Sequence, residues 1–335
     1  MFRPYSVTSC SRRLYRMRMS TLVICALGLA ICSPHSVHAQ FKTETAGKGP
    51  KLETTVVKKL KCGLKVTASG GPCKGIVATI PVPMDWPEQQ VQVLEEDISP
   101  AVKSVNYRTV GTGARQMVVE IPLLPAGQEA HALVTFEITK HTLLPPDATD
   151  EFQIPKKLAR DVLIHIGPSP YIESRHPKIT SLTKEIVADK EGAWTKVEAI
   201  YDWVREHVEY QNGELKGAVK ALNDKTGDCE ELSSLFIALC RAQKIPARTV
   251  WVPGHCYPEF YLADAEGNGY WFPCQAAGSR AFGGIPEERP ILQKGDNFRD
   301  PDRPKEKLRY VSEYLTGKGG GGKPKVKFVQ EEVVR

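Results

Sequence analysis

Two kinds of apolar spacing divide the chain. From Leu52 to about Thr139, hydrophobic and polar residues alternate in short runs, the period of a strand with one buried face. The runs predict strands, among them Leu64–Ala68, Gly75–Pro81, Gln90–Leu94, Val102–Arg108, Gln116–Ile121 and His131–Thr139. The last shows it most clearly, with Ala132, Val134, Phe136 and Ile138 on one face. Turn-forming clusters at Gly70-Gly71-Pro72, Gly111-Thr112-Gly113 and Pro125-Ala126-Gly127 separate the runs. About seven strands at this density predict an immunoglobulin-like β-sandwich over residues 40–150. Nothing in this half gathers ionisable groups at chemical spacing, so it reads as a structural or partner-binding module.

Past a Pro-rich stretch at 141–170 the period changes. Trp194, Val197, Ile200, Tyr201, Val204 and Val208 recur at helical spacing and define a buried stripe. A second helix begins near Cys229, with Leu232, Leu235, Phe236, Leu239 and Cys240 on one face, and Ile245-Pro246 stops it. Strands return at Ala247–Val252, at His255–Leu262 and, across the turn Asp264–Gly269, at Tyr270–Cys274. Helices followed by antiparallel strands predict an α+β domain over residues 151–316. Gly317 to Gly322 then reads as a flexible hinge. It precedes a tail, within 317–335, whose Lys323, Lys325 and Lys327 alternate as on a solvated edge strand.

Composition changes this picture in one respect. With 41% hydrophobic and 25% charged residues among 335, the chain is ordinary for a globular protein and excludes disorder throughout. The net charge of +6 suggests nucleic acid until it is located. Residues 1–39 hold five arginines and no acid, so the remainder has 40 basic and 39 acidic residues and a net charge of +1. No nucleic-acid footprint remains. The basic stretch ends at Arg18, and Leu22 to Ile31 form an apolar run of about ten residues, half of what a membrane-spanning helix needs. Val37-His38-Ala39 precedes Gln40 as a cleavage site. Residues 1–39 therefore read as a signal peptide cleaved near Ala39. The expectation is an exported protein (periplasmic, cell-surface or secreted) that does not span the membrane.

Three of the nine cysteines fall in that leader, leaving Cys62, Cys73, Cys229, Cys240, Cys256 and Cys274. None forms a C-x-x-C pair of zinc type. Cys62 and Cys73 flank a Gly-rich turn and could close a small disulfide loop. Cys229 stands apart, because Thr226-Gly227-Asp228-Cys229 leads directly into the apolar helix. Unpaired N–H groups and the positive helix end stabilise a thiolate there, and the same groups can stabilise an oxyanion. His255 opens a strand downstream, with Glu259 four residues on, and Trp271-Phe272-Pro273-Cys274-Gln275 closes the next strand. Nucleophile, base and orienting group follow in order. A register pairing 255 with 275 also pairs Cys256 with Cys274, within reach of a disulfide.

These residues resemble the transglutaminase-like superfamily of papain-type thiol enzymes over roughly residues 165–278. The resemblance rests on the G-D-C helix start, on Leu235 through Arg248 and on His255-Cys256-Tyr257-Pro258-Glu259-Phe260. Tyr201-Asp202-Trp203-Val204 and Val208-Glu209-Tyr210 resemble the family's preceding helix. The resemblance implies Cys229 as nucleophile, His255 as general base, and a cysteine-bearing helix packed on an antiparallel sheet. It implies no metal or organic cofactor, and a peptide or protein substrate attacked through a thioester. The family usually places Asp, less often Asn, where this sequence has Gln275. A working Cys-His-Gln set, a slower enzyme and a retained fold that binds peptides or cell-envelope components without catalysis are all open at this point. Gln211 is a further candidate as an oxyanion donor. Asp264, Glu266 and Asn268 echo a calcium loop but read as a hairpin turn.

Overall fold

The alternating half becomes long antiparallel strands in the computed structural model, which describes residues 48–333. The signal-peptide reading lies outside the described residues. Six strands follow one another: β1 (Lys51–Thr67), β2 (Cys73–Val82), β3 (Gln89–Ile98), β4 (Ser104–Val110), β5 (Ala114–Leu124) and β6 (Glu129–Leu144). They form two sheets, containing the orders β1-β6-β3 and β2-β5-β4. The inward faces share one core, in which Leu60, Leu64 and Val66 of β1 meet Ile76 and Ile80 of β2, Val119 of β5, and Ala132, Val134, Phe136 and Ile138 of β6. Each side chain of Val or Leu size buried this fully contributes about 1.5–3 kcal/mol.

Strand order departs from the immunoglobulin expectation. There the first two strands are neighbours in one sheet. Here β1 and β2 lie in opposite sheets, and β1 pairs with β6 over nearly its whole length. Alternation in a sequence reports which face is buried and says nothing about which strand lies beside which.

The second half supplies five helices: α1 (Arg160–Leu163), α2 (Pro177–Ile186), α3 (Ala193–His207), α4 (Ala218–Asp224) and α5 (Cys229–Ala242). Among them run β7 (Glu209–Tyr210), β8 (Thr226–Gly227), β9 (Ala247–Val252), β10 (His255–Ala263), β11 (Gly269–Pro273) and β12 (Gln293–Lys294). The antiparallel sheet β11-β10-β9-β12 backs α5, whose residues Glu231 to Arg241 are almost all buried. The stripe on α3 is buried as its spacing predicts, and Trp194 meets Phe260, Phe272 and Phe282 edge-on. Arg241 is enclosed at the end of α5, where it pairs with Asp296 at 2.8 Å and donates to the carbonyl of Ala247. The result is a mixed α and β chain built on antiparallel sheets.

The C-terminal segment overturns the hinge-and-tail expectation. β13 (Tyr314–Gly319) pairs with β2, and β14 (Lys325–Glu332) pairs with β1, so each of the first two sheets gains a fourth strand from the far end of the chain. The expected boundary at 316 falls inside β13. The glycines serve close approach: a Cβ on Gly321 would lie 1.7 Å from the Gly70 carbonyl oxygen. Two Gly-rich turns therefore nest backbone to backbone. The edge-strand reading of the lysines does hold, since β14 is outermost in its sheet and Lys323, Lys325 and Lys327 are exposed.

The described residues, 48–333, lie in one compact unit. A buried polar seam joins its parts. Lys294 reaches Glu88 at 2.5 Å and Glu259 at 2.6 Å, Lys140 donates to the Glu287 carbonyl, and the Gln89 side chain bonds both backbone groups of Ile291. Among the described residues, no helix is long and apolar enough to cross a membrane.

Candidate active site

The start of α5 is fixed before any chemistry is considered. Asp228 is the N-cap, and its carboxylate accepts from the Glu230 N–H at 2.8 Å. Glu231 returns the favour by accepting from the Asp228 N–H at 3.2 Å, completing a capping box. Glu231 also accepts from the Lys216 N–H at 3.0 Å. Gly227 is needed for this closeness, because a Cβ there would sit 2.4 Å from the Cβ of Glu231. Behind the turn, β7 lies parallel to β8, and the Gln211 N–H donates to the Gly227 carbonyl at 2.8 Å. Cys229 is thus the first helical residue, presented at a doubly clamped helix N-terminus.

His255 arrives through a tight hairpin. Pro253 and Gly254 connect β9 to β10 with Val252 opposite His255, and Gly254 takes φ 69°. Proline followed by a glycine at positive φ is the requirement of a type II turn. Gln275 follows β11 and is held from both sides. Its N–H donates to the Ala281 carbonyl, and its own carbonyl accepts from the Tyr201 hydroxyl at 2.8 Å and from Arg205 at 3.0 Å. With its backbone pinned to α3, the side chain places Oε1 3.0 Å from Nε2 of His255. Nε2 donates to this carbonyl oxygen, which leaves Nδ1 for the sulfur. The structure therefore brings Cys229, His255 and Gln275 together.

Electrostatics follow from these contacts. Hydrogen bonds from the Cys256 thiol, from His255 and from the Cys256 backbone N–H outweigh burial and draw the Cys229 thiol down to about 4. Burial alone would favour neutral His255, but bonds to Cys229 and Gln275 overcome it and raise its pKa. The two directions agree and describe a thiolate–imidazolium pair. Beside it, burial raises Glu230 to about 7 despite Arg309, with Asp228 and Cys229 adding to the effect. A cleft of about 450 Å³ opens over the pair, walled by Tyr210, Trp251, Arg309, Tyr310 and Gln330.

Other expectations are revised. The β10–β11 register sets Glu259 opposite Pro273, two residues away from the pairing expected. Cys274 consequently sits at Pro258, Cys256 lies opposite Trp251, and both thiols are free. A slip of two preserves the face of every side chain, so His255 and Gln275 still converge. Cys62 and Cys73 are free as well, and lie in strands of opposite sheets. Glu259 is fully buried beneath the site, where Lys294 and Arg248 hold its carboxyl below the ordinary range against the cost of burial. Gln211 presents an exposed side chain and contributes its backbone to β8. Asp264 accepts from Asn268 and Tyr270 within a hairpin turn.

The sequence reading missed Cys256 as a neighbour of Cys229, and Arg309 and Gln330 as cleft walls. The last two come from the stretch read as tail or its approach, and no local signal ties them to the helix start. Cys256 was legible only once β10 was known to run beneath α5.

Residues 180–276, which include all three of Cys229, His255 and Gln275, match the model of the transglutaminase-like superfamily. This stretch is a transglutaminase-like domain. Within it a cysteine at a helix start faces a histidine on an antiparallel sheet. No curated protein matches the sequence. Among solved structures, one from Cytophaga hutchinsonii described as a "Putative Cysteine Protease" is similar over 84% of this chain and 94% of its own, at 19% identity and a TM-score of 0.52. The periplasmic domain of TgpA from Pseudomonas aeruginosa, bound to ethylmercury, is similar over 67% of this chain and 90% of its own, at 11% identity and a TM-score of 0.33. At its identity the likeness to the first is one of fold.

Proposed function

We propose that this chain is an exported cysteine-dependent amide hydrolase or acyl transferase. The observation that carries the reading is the contact chain from the Cys229 sulfur through His255 to Gln275 Oε1, at the bottom of an open cleft. Cys229 attacks the carbonyl of a peptide or side-chain amide. The backbone N–H of Cys229 itself, which the Asp228 cap leaves free, receives the charge that develops on the oxygen at the positive end of α5. His255 protonates the departing amine, and a thioester remains on Cys229. Water entering the open cleft, activated by the now neutral His255, resolves it; an amine in the same place gives transfer. Gln275 keeps the imidazole turned toward sulfur. It supplies no negative charge, so the ion pair leans on the contacts at Cys229 more than in a carboxylate version.

Export by residues 1–39 gives the setting in which such a substrate is met. The eight-stranded pair of sheets adds a wall to the cleft through Gln330, which supports a role in shaping substrate access.

An activated acyl ester offered to the purified protein tests the reading. Intact-mass and peptide analysis should find an acyl group on Cys229, with turnover lost in Cys229→Ala and strongly reduced in His255→Ala. A folded protein whose Cys229 alkylates readily, yet never acylates with esters or a peptide library, would mark a binding module that retains the fold.

A further inference from the structure

We propose that Cys229 and Cys256 form a dithiol site that a hydroperoxide closes to an intramolecular disulfide, with Cys229 the attacking and Cys256 the resolving thiol.

The geometry begins with the strand that brings His255. Cys256, the next residue, is buried (1% exposed), and its Sγ lies 3.9 Å from the Ser233 hydroxyl. Ser233 is four residues after Cys229 on α5, so the two share a helix face. Cys256 therefore sits under the first turn of that helix. Its thiol and its backbone N–H both reach the Cys229 sulfur, and the thiol-to-sulfur bond is the largest influence on Cys229. From the other side, the same bond to Cys229 is the largest influence holding the proton on Cys256. The two thiols are thus neighbours within hydrogen-bonding reach under one turn of α5, and a local shift would close them to the about 2 Å of a disulfide.

Burial divides the roles. Cys229 is partly exposed and lines the cleft, whereas Cys256 is buried and closed to reagents in solution. In the first step the Cys229 thiolate attacks the outer oxygen of the hydroperoxide. The O–O bond breaks, an alcohol or water leaves after taking one proton, and Cys229 becomes a sulfenic acid, oxidised by two electrons. In the second step the Cys256 sulfur attacks the sulfenic sulfur. The S–S bond forms, the S–O bond breaks, and the departing hydroxide takes the Cys256 proton as water. A thiol reductant returns both residues. The consequence is protection: the thiol that does the chemistry is parked in a reducible state and is kept from irreversible sulfinic acid.

This inference rests on Cys229 being an activated thiol and is independent of amide chemistry. The test treats folded full-length protein with a small excess of hydrogen peroxide, quenches with iodoacetamide and maps peptides without reduction. A peptide linked through Cys229 and Cys256 is expected, with Cys240 unmodified, and a thiol reductant should restore Cys229 alkylation in full. In Cys256→Ser, which keeps a hydroxyl beside Ser233, Cys229 should pass to sulfinic acid and the reductant should no longer restore it. Wild-type protein that accumulates sulfinic acid at Cys229 while Cys256 stays reduced would overturn the proposal. So would reductant recovery as poor as in the serine variant. Neither readout depends on whether esters or amides are turned over.

Discussion

Replacing Gln275 by alanine removes one acceptor from His255 and should be felt at Cys229. The bond at stake runs from Nε2–H of a cationic imidazole to a side-chain carbonyl, at 3.0 Å and in partial burial. Bonds to a charged group contribute about 1.5–3 kcal/mol, and a half-buried site belongs at the low end. The neutral ring keeps a weaker form of the same bond, so the His255 pKa should fall by only part of that bond's strength, with about 1.4 kcal/mol corresponding to one unit. Because the imidazolium in turn supports the thiolate, the acid limb of Cys229 reactivity should move up by a comparable amount or less. The sign is fixed by the direction of each shift. Cys229 is lowered to about 4, so the reactive thiolate is present above that pH and is lost as pH falls through it. His255 is raised, so its charge persists until pH climbs through the raised value. The assay is the rate of iodoacetamide labelling of Cys229 from pH 3 to 9, read by mass spectrometry. Wild type should show a midpoint near 4. Gln275→Ala should shift it upward by up to about one unit, and Gln275→Asp should shift it downward, since a full negative charge favours the imidazolium. A midpoint identical in all three folded proteins would refute the orienting role, leaving Gln275 as a side chain that merely packs near the ring.

Ionisation of Glu230 near pH 7 places a new negative charge beside Cys229. The ratio of iodoacetate to iodoacetamide labelling should therefore fall as pH rises through 7, and Glu230→Gln should flatten that fall. Gly227→Ala must displace the Cβ of Glu231, 2.4 Å away, and should cost about 1–3 kcal/mol, seen as a lower thermal midpoint with slower Cys229 labelling. Gly321→Ala puts a Cβ 1.7 Å from the Gly70 carbonyl oxygen, and should loosen β13 and β14 so that amide exchange in Lys325–Glu332 accelerates while exchange in α5 does not. Glu259→Gln leaves Lys294 with Glu88 alone and removes the partner of Arg248. A loss of about 3–5 kcal/mol on denaturant unfolding is expected, because a broken buried pair strands a charge.

What could be read from the sequence, and what could not, follows from the range of the interactions involved. Capping is local: Gly227, Asp228, Cys229 and Glu231 lie within five positions, so the helix start and its cysteine were visible in one short string. Face parity is local too, which is why Ala132 to Ile138 and the α3 stripe were placed correctly. Register is not. Whether 255 meets 275 or lies two further along depends on how the loop from Asp264 to Asn268 packs its own side chains, and that two-residue slip decided against a disulfide between Cys256 and Cys274 while sparing the meeting of His255 with Gln275. Long-range pairing was least legible. Lysines alternating along β14 announced an edge strand, but nothing near them says that β1, more than 250 residues earlier, is the strand it borders.

That return of the chain changes how the first two sheets relate to the chemistry. A sandwich followed by a catalytic domain and a free tail would let the two act separately. In the observed order, β13 and β14 must add to sheets whose other strands come before the helices, so the transglutaminase-like segment is held between two parts of one β structure. The segment from Gly295 to Tyr310 that leads back to those sheets crosses the site on its way. Asp296 there neutralises Arg241 at the end of α5, Arg309 touches Glu230 at the start of the same helix, and Arg309 also lies 5.2 Å over the Trp251 ring on β9. Both ends of the cysteine helix are therefore tied to the stretch that closes the chain. The cleft is a joint product of the two halves, and its walls at Arg309, Tyr310 and Gln330 can be altered without touching the residues that hold the thiolate.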